Sequence, residues 1–139
     1  MIDSERKFPR YQDEPQEPYM NPRQKEHFRQ GLLQWRRELT EDIRATIDLL
    51  QNEVTLLPDW SDRASLESDM AIELRSRDRE GKLIRKINDA LARLDAGEYG
   101  FCEVCGAEIG LRRLEARPTA TLCIDCKTID EIKEKQVVK

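Results

Sequence analysis

Residues 101–127 read FCEVCGAEIGLRRLEARPTATLCIDCK and hold every cysteine of the chain, as Cys102-x2-Cys105-x17-Cys123-x2-Cys126. Two-residue gaps let one tight loop aim two thiolates at one metal. The longer loop brings the second pair across to complete a tetrahedron. The spacing predicts one structural Zn2+ per chain, held by Cys102, Cys105, Cys123 and Cys126. Gly106 suits the cramped backbone of the first knuckle. The competing reading is a thioredoxin-type redox pair, which needs one Cys-x-x-Cys on a βαβ frame, and no such frame is visible.

Outward from the cysteines, prolines divide the remaining chain. Four lie in the first 22 residues, and the others are Pro58 and Pro118. The two long proline-free stretches permit long helices, since proline costs roughly 3 kcal/mol inside one. In the first, Phe28, Leu32, Trp35, Leu39, Ile43, Ile47, Leu50, Val54 and Leu57 recur at gaps of three or four between polar residues. That is a narrow coiled-coil stripe. A helix from Arg23 to Leu57 would run on the order of 50 Å. In the second stretch Leu66, Met70 and Leu74 lead to Ile84, Ile87, Leu91 and Leu94, with the seam passing through Arg77 and Gly81. Gly81 either weakens the helix, by about 1 kcal/mol relative to alanine, or permits close approach of another backbone.

Pro58-Asp59-Trp60-Ser61-Asp62 joins the two stretches. Proline stops the first helix, and Ser61 or Asp62 caps the second. So short a connection makes the helices antiparallel neighbours. The fold class expected is mainly α: a long antiparallel helical hairpin (a coiled coil) on a small globular base with a four-cysteine zinc finger and a C-terminal helix. The expected divisions are 1–22, a segment packed on the base or partly disordered; 23–96, the hairpin with its tip at 58–62; 97–127, the zinc module; and 128–139, a helix opened by a Thr128/Glu131 capping box. Ile129, Ile132 and Val137 are expected to pack that last helix inward.

The net charge of −4 argues against a general polyanion binder. Charge is segregated, however. From Asp59 to Leu74 five acids meet one base, a local net of −4. From Arg75 to Arg93 seven bases meet three acids, a local net of +4. Such faces are most simply solvated, but they also create local fields. Arg112, Arg113, Arg117 and Lys127 flank the cysteines. They either offset the charge of a four-thiolate site or form an anion pocket with the basic stem.

An enzyme is disfavoured, because four cysteines close the position that catalytic zinc keeps open for water. No Ser/His/Asp set or phosphate loop appears, and the only histidine, His27, reads as a solvent-facing helix residue. Two function classes remain: a zinc-ribbon DNA binder, and an interaction protein whose acidic hairpin tip probes a larger machine. Charged, proline-bearing early residues and the lack of a long apolar run predict a cytoplasmic chain without signal peptide or membrane span.

The stretch from Phe101 to Gln136, with its cysteine spacing, RRLEARPTA and CIDCKT, resembles the DksA family (the DksA/TraR zinc-finger family) of bacterial RNA polymerase regulators. ELRSRDREGKLIRKI and PDWSDRA extend the likeness. The resemblance implies a transcription regulator that enters the secondary channel of RNA polymerase, acts near the catalytic centre and destabilises initiation complexes. It would work with ppGpp in the stringent response, repressing ribosomal RNA promoters and activating some amino-acid promoters. It implies a monomer with no sequence-specific DNA binding. By motif, Asp59, Asp62 and Ala64 match the active-centre tip and Arg79 a polymerase contact, while Leu83, Lys86, Arg117 and Lys127 match the ppGpp-binding residues. Trp60 stands where the family often has a smaller residue, and Gly81 where it commonly has a charged helix former. The alternative within this class is another secondary-channel factor, either a transcript-cleavage helper or an alarmone-independent phage or plasmid type.

Overall fold

Each proline-free stretch carries one long helix. In the computed structural model, which describes residues 8–12, 14–56 and 60–138, α1 spans Pro22–Leu56 and α2 spans Trp60–Ala96. The side chains of 53–70 and 137–138 lie outside that description, as does the 57–59 connection between the helices. Two short helices follow, α3 at Leu111–Ala116 and α4 at Ile124–Val138. No strand forms among the described residues, only an antiparallel bridge between Phe101 and Glu108.

The start of α1 is set by chemistry the sequence carries. Proline fits the first helical position because its missing N–H would have no helical partner there. Asn21 Oδ1 accepts the Gln24 amide at 2.8 Å, and Gln24 Oε1 accepts the Met20 amide at 2.6 Å. The end of α2 is a Schellman turn: Gly97 N donates to Leu94 O and Glu98 N to Arg93 O, with Gly97 at φ +76°.

The chain divides into two compact units, residues 1–32 with 87–139, and residues 33–86. The core of the first unit joins Phe28, Leu32, Ile87, Ala90, Leu91 and Leu94 from the hairpin helices to Tyr99, Ile109 and Leu114. Tyr99 is 2% exposed, and its hydroxyl donates to Pro118 O at 2.7 Å. Arg93 ties down the 97–103 turn by donating to Glu98 O, Phe101 O and Glu103. The N-terminal segment packs within this unit: Phe8 lies against Gly31, and Tyr19 Oη donates to Gly100 O and accepts from Gly110 N.

In the second unit Leu39 and Leu50 are buried and Ile43 half-buried. Several expectations fail here and at the last helix. Ile47 is exposed and half-buried Thr46 takes its place, because spacings of 39, 43, 46 and 50 keep to the 3.5-residue coiled-coil period. Leu74 is also exposed, and the inward-turned residues around it are Glu73, Ser76, Arg77 and Glu80. Ser61 and Asp62 do not precede α2, which already begins at Trp60. Thr128 opens no helix: α4 starts four residues earlier, and the Thr128 hydroxyl donates to Ile124 O at 2.8 Å. Ile129 and Ile132 are about half exposed rather than packed inward, and the Val137 side chain lies outside the described residues.

Candidate metal centre and interaction residues

The first zinc knuckle is a short hairpin. Cys102 N donates to Ala107 O at 2.8 Å and Gly106 N to Cys102 O at 3.0 Å, just inside the 101–108 bridge. Gly106 sits at φ +76°, where a Cβ would strain the turn. The second knuckle is the N-terminus of α4: Lys127 N donates to Cys123 O, and Cys126 N points at Cys123 Sγ from 3.5 Å. Glu103 N donates to Thr121 O at 2.9 Å and holds the two knuckles together.

All four Sγ atoms lie within 4.8 Å of one another. A tetrahedral zinc with bonds of about 2.3 Å spaces its sulfurs by about 3.8 Å, and Cys105 Sγ and Cys123 Sγ are 3.7 Å apart. The donor set therefore fits zinc. Without a cation the thiols oppose one another's ionisation. Backbone amides of Cys105 and Cys123 draw Cys102 down to about 6, whereas the sulfurs of Cys123 and Cys102 push Cys126 up to about 12. A divalent cation removes this conflict by holding all four as thiolates.

α3 lies inside the longer loop between the cysteine pairs, for which no helix was expected. Its six residues bury Leu114 and Glu115. Glu115 also corrects the reading of His27, which is not solvent-facing: its side chain is 13% exposed, with Nε2 2.8 Å from Glu115 Oε1. The same oxygen accepts the Tyr11 amide at 2.9 Å. Phe8, Tyr11 and Phe28 surround the imidazole at centroid distances of 5.0–5.2 Å. The cluster joins α1, α3 and the N-terminal segment, and no periodic pattern links residues so far apart in the chain, so only folding reveals it.

Of the flanking bases, Arg113 is a backbone brace whose Nε donates to Leu122 O at 3.0 Å. Arg112 and Arg117 are exposed and, with Ile109, Ala116 and Ile124, line an open groove of about 390 Å³. Lys127 is half-buried in the first turn of α4. On α2, Leu83 is half-buried while Arg79 and Lys86 are exposed. Asp59 lies outside the described residues, and of Asp62 and Ala64 only their backbone place in the first turns of α2 is described.

The fold and the sulfur cluster define a four-cysteine zinc-finger protein built with a long helical hairpin. Two family models divide the chain at that junction: "DnaK suppressor protein DksA, N-terminal domain" matches residues 24–94, and "Prokaryotic dksA/traR C4-type zinc finger" matches residues 97–131. The chain belongs to the DksA family. It is 52% identical over 127 residues to the RNA polymerase-binding transcription factor DksA of Escherichia coli strain K12, covering 91% of this chain and 84% of the relative. The protein of that name in Haemophilus influenzae is 53% identical over the same length, covering 91% and 88%. The solved structure of transcription factor DksA2 from Pseudomonas aeruginosa superposes with a TM-score of 0.79 at 43% identity, covering 86% of this chain and 94% of that one.

Proposed function

We propose that this protein is a transcription factor that binds RNA polymerase and has no catalytic activity of its own. The observation that carries the reading is the similarity to RNA polymerase-binding transcription factors, which takes in both hairpin and zinc finger. The closed sulfur cluster supports a structural metal, since four protein ligands leave no position for a reacting water. Among the described residues no helix is long and apolar enough to cross a membrane, which is compatible with action in the cytoplasm.

In the mechanism inferred, the hairpin enters the polymerase secondary channel. Asp59, Asp62 and Ala64 act at the catalytic centre to destabilise initiation complexes, and Arg79 contacts polymerase. Leu83, Lys86, Arg117 and Lys127 give the response to ppGpp. Exposed Lys86 and Arg117 suit a phosphate-rich ligand, lysine by point charge and arginine by its forked donors. The protein acts as a monomer and reaches promoters through polymerase rather than through DNA sequence.

In vitro transcription from a ribosomal promoter, with and without ppGpp, tests this reading. Repression that deepens with ppGpp is expected. Asp59→Asn with Asp62→Asn should abolish the effect while leaving polymerase binding intact. Full repression by that variant excludes the tip mechanism. Lys86→Ala with Lys127→Ala should remove only the ppGpp increment, and an unchanged increment rejects the assignment of those residues.

A further inference from the structure

Along α2 from residue 71 to residue 82 no apolar side chain is buried. The half-buried positions are Glu73, Ser76, Arg77, Glu80 and Gly81, at spacings that put them on one face of the helix. The apolar residues of the same stretch face outward, with Ile72 60% and Leu74 46% exposed. On α1 of the same unit, Leu39 and Leu50 are buried in the ordinary way.

The charges on that inward face are tied along α2 itself. Arg77 reaches back to Glu73 at 3.0 Å and forward to Glu80 at 2.8 Å. The set is incompletely satisfied, because Arg77 Nε and Glu80 Oε2 are buried without a hydrogen-bond partner. Burial raises the Glu80 carboxyl from its ordinary value; Arg77 opposes the shift, while Asp42 on α1 and Glu73 add to it as like charges. Gly81 follows at once. A Cβ there would meet nothing within 4 Å, so close approach of another backbone does not explain the glycine. What remains is its conformational freedom, which weakens a helix interior.

We propose that residues 73–81 of α2 form a compliant joint in the helical hairpin, a stretch held by ion pairs along its own axis in place of apolar contacts with its neighbour. It opens and bends locally while the helix on either side stays intact. Partly satisfied polar layers and sparse apolar burial mark the low-stability end of a structure. The inference concerns the hairpin's mechanics and is independent of the polymerase reading.

Hydrogen exchange read by mass spectrometry on the full-length, zinc-loaded protein tests it. Amides of residues 75–83 are expected to exchange at least tenfold faster than those of 36–44 on α1. Arg77→Leu with Glu80→Leu should slow them at least tenfold, since replacing a half-buried, incompletely satisfied charged set by apolar residues removes its desolvation cost. Gly81→Ala, which disturbs no neighbour, should slow them severalfold by itself. Equal protection of the two segments in the wild-type chain overturns the proposal. So does a Gly81→Ala chain whose 75–83 amides exchange as before, whatever the double variant does.

Discussion

Gly100 and Gly97 both adopt left-handed backbone angles, but their surroundings differ. At Gly100, φ +92°, a Cβ would lie 2.8 Å from Met20 Cγ and 3.1 Å from Tyr19 Oη, whereas at Gly97 it would meet nothing within 4 Å. Either alanine bears the conformational cost of about 1–2 kcal/mol, and only Gly100→Ala adds overpacking of about 1–3 kcal/mol. Urea titration should therefore unfold Gly100→Ala at a clearly lower midpoint than Gly97→Ala. Glu17 offers a pH test. The Glu14 amide, the Tyr11 hydroxyl and the Asn21 amide hold its carboxyl down to about 2. A depressed acid stabilises the fold above its unfolded pKa, so this contribution is whole above about 4.3 and disappears as pH falls toward 2. NMR of the folded chain should show the Glu14 amide resonance steady through about 4.3 and shifting only as pH nears about 2. The Gly100 site is not legible in the sequence, since only folding brings Tyr19 and Met20 to it, whereas the partners of Glu17 all lie within six residues of it and form a local turn.

Between α1 and α2, helix type was readable from the spacing of apolar residues and pairing from the shortness of the connection, but the phase of the seam was not. Apolar Leu49 and Leu50 are adjacent in sequence, yet one is 58% exposed and the other 8%. Leu50→Ala should cost about 2–4 kcal/mol through lost burial and a cavity, and Leu49→Ala under about 0.5 kcal/mol, as for an ordinary surface change. Thermal melts of the two variants decide whether the seam runs through 43, 46 and 50. The polar face of α2 misled the pattern for a physical reason: Leu74 extends an apolar period that the packed helix does not use, while Arg77 and Glu80 satisfy most of their charge on their own helix.

For the whole chain, the zinc finger is a structural commitment. Its knuckles are short loops with few apolar contacts of their own, and Val104 and Ile124 are largely exposed. Metal binding therefore supplies much of their folding free energy. Chelation at neutral pH, or Cys123→Ser, should release one zinc per chain. It should also remove hydrogen-exchange protection from residues 102–126, while refilling with zinc restores it in the chelated wild type. Protection that survives complete metal loss rejects the zinc-dependence of this unit.

Local chemistry was decided by the sequence alone. Paired cysteines at metal-ligand spacing, proline-bounded heptad stripes and the motifs around them determined a zinc finger, two long helices and the family, because ligand spacing and helical periodicity are properties of neighbours along the chain. Tertiary structure decided the rest. It placed His27 beneath Glu115, made a helix of LRRLEA, used Tyr19 to clasp the turns at Gly100 and Gly110, and turned a charged face of α2 inward. Each of these rests on partners far apart in sequence or on which of two competing faces is buried, and those choices are settled by packing.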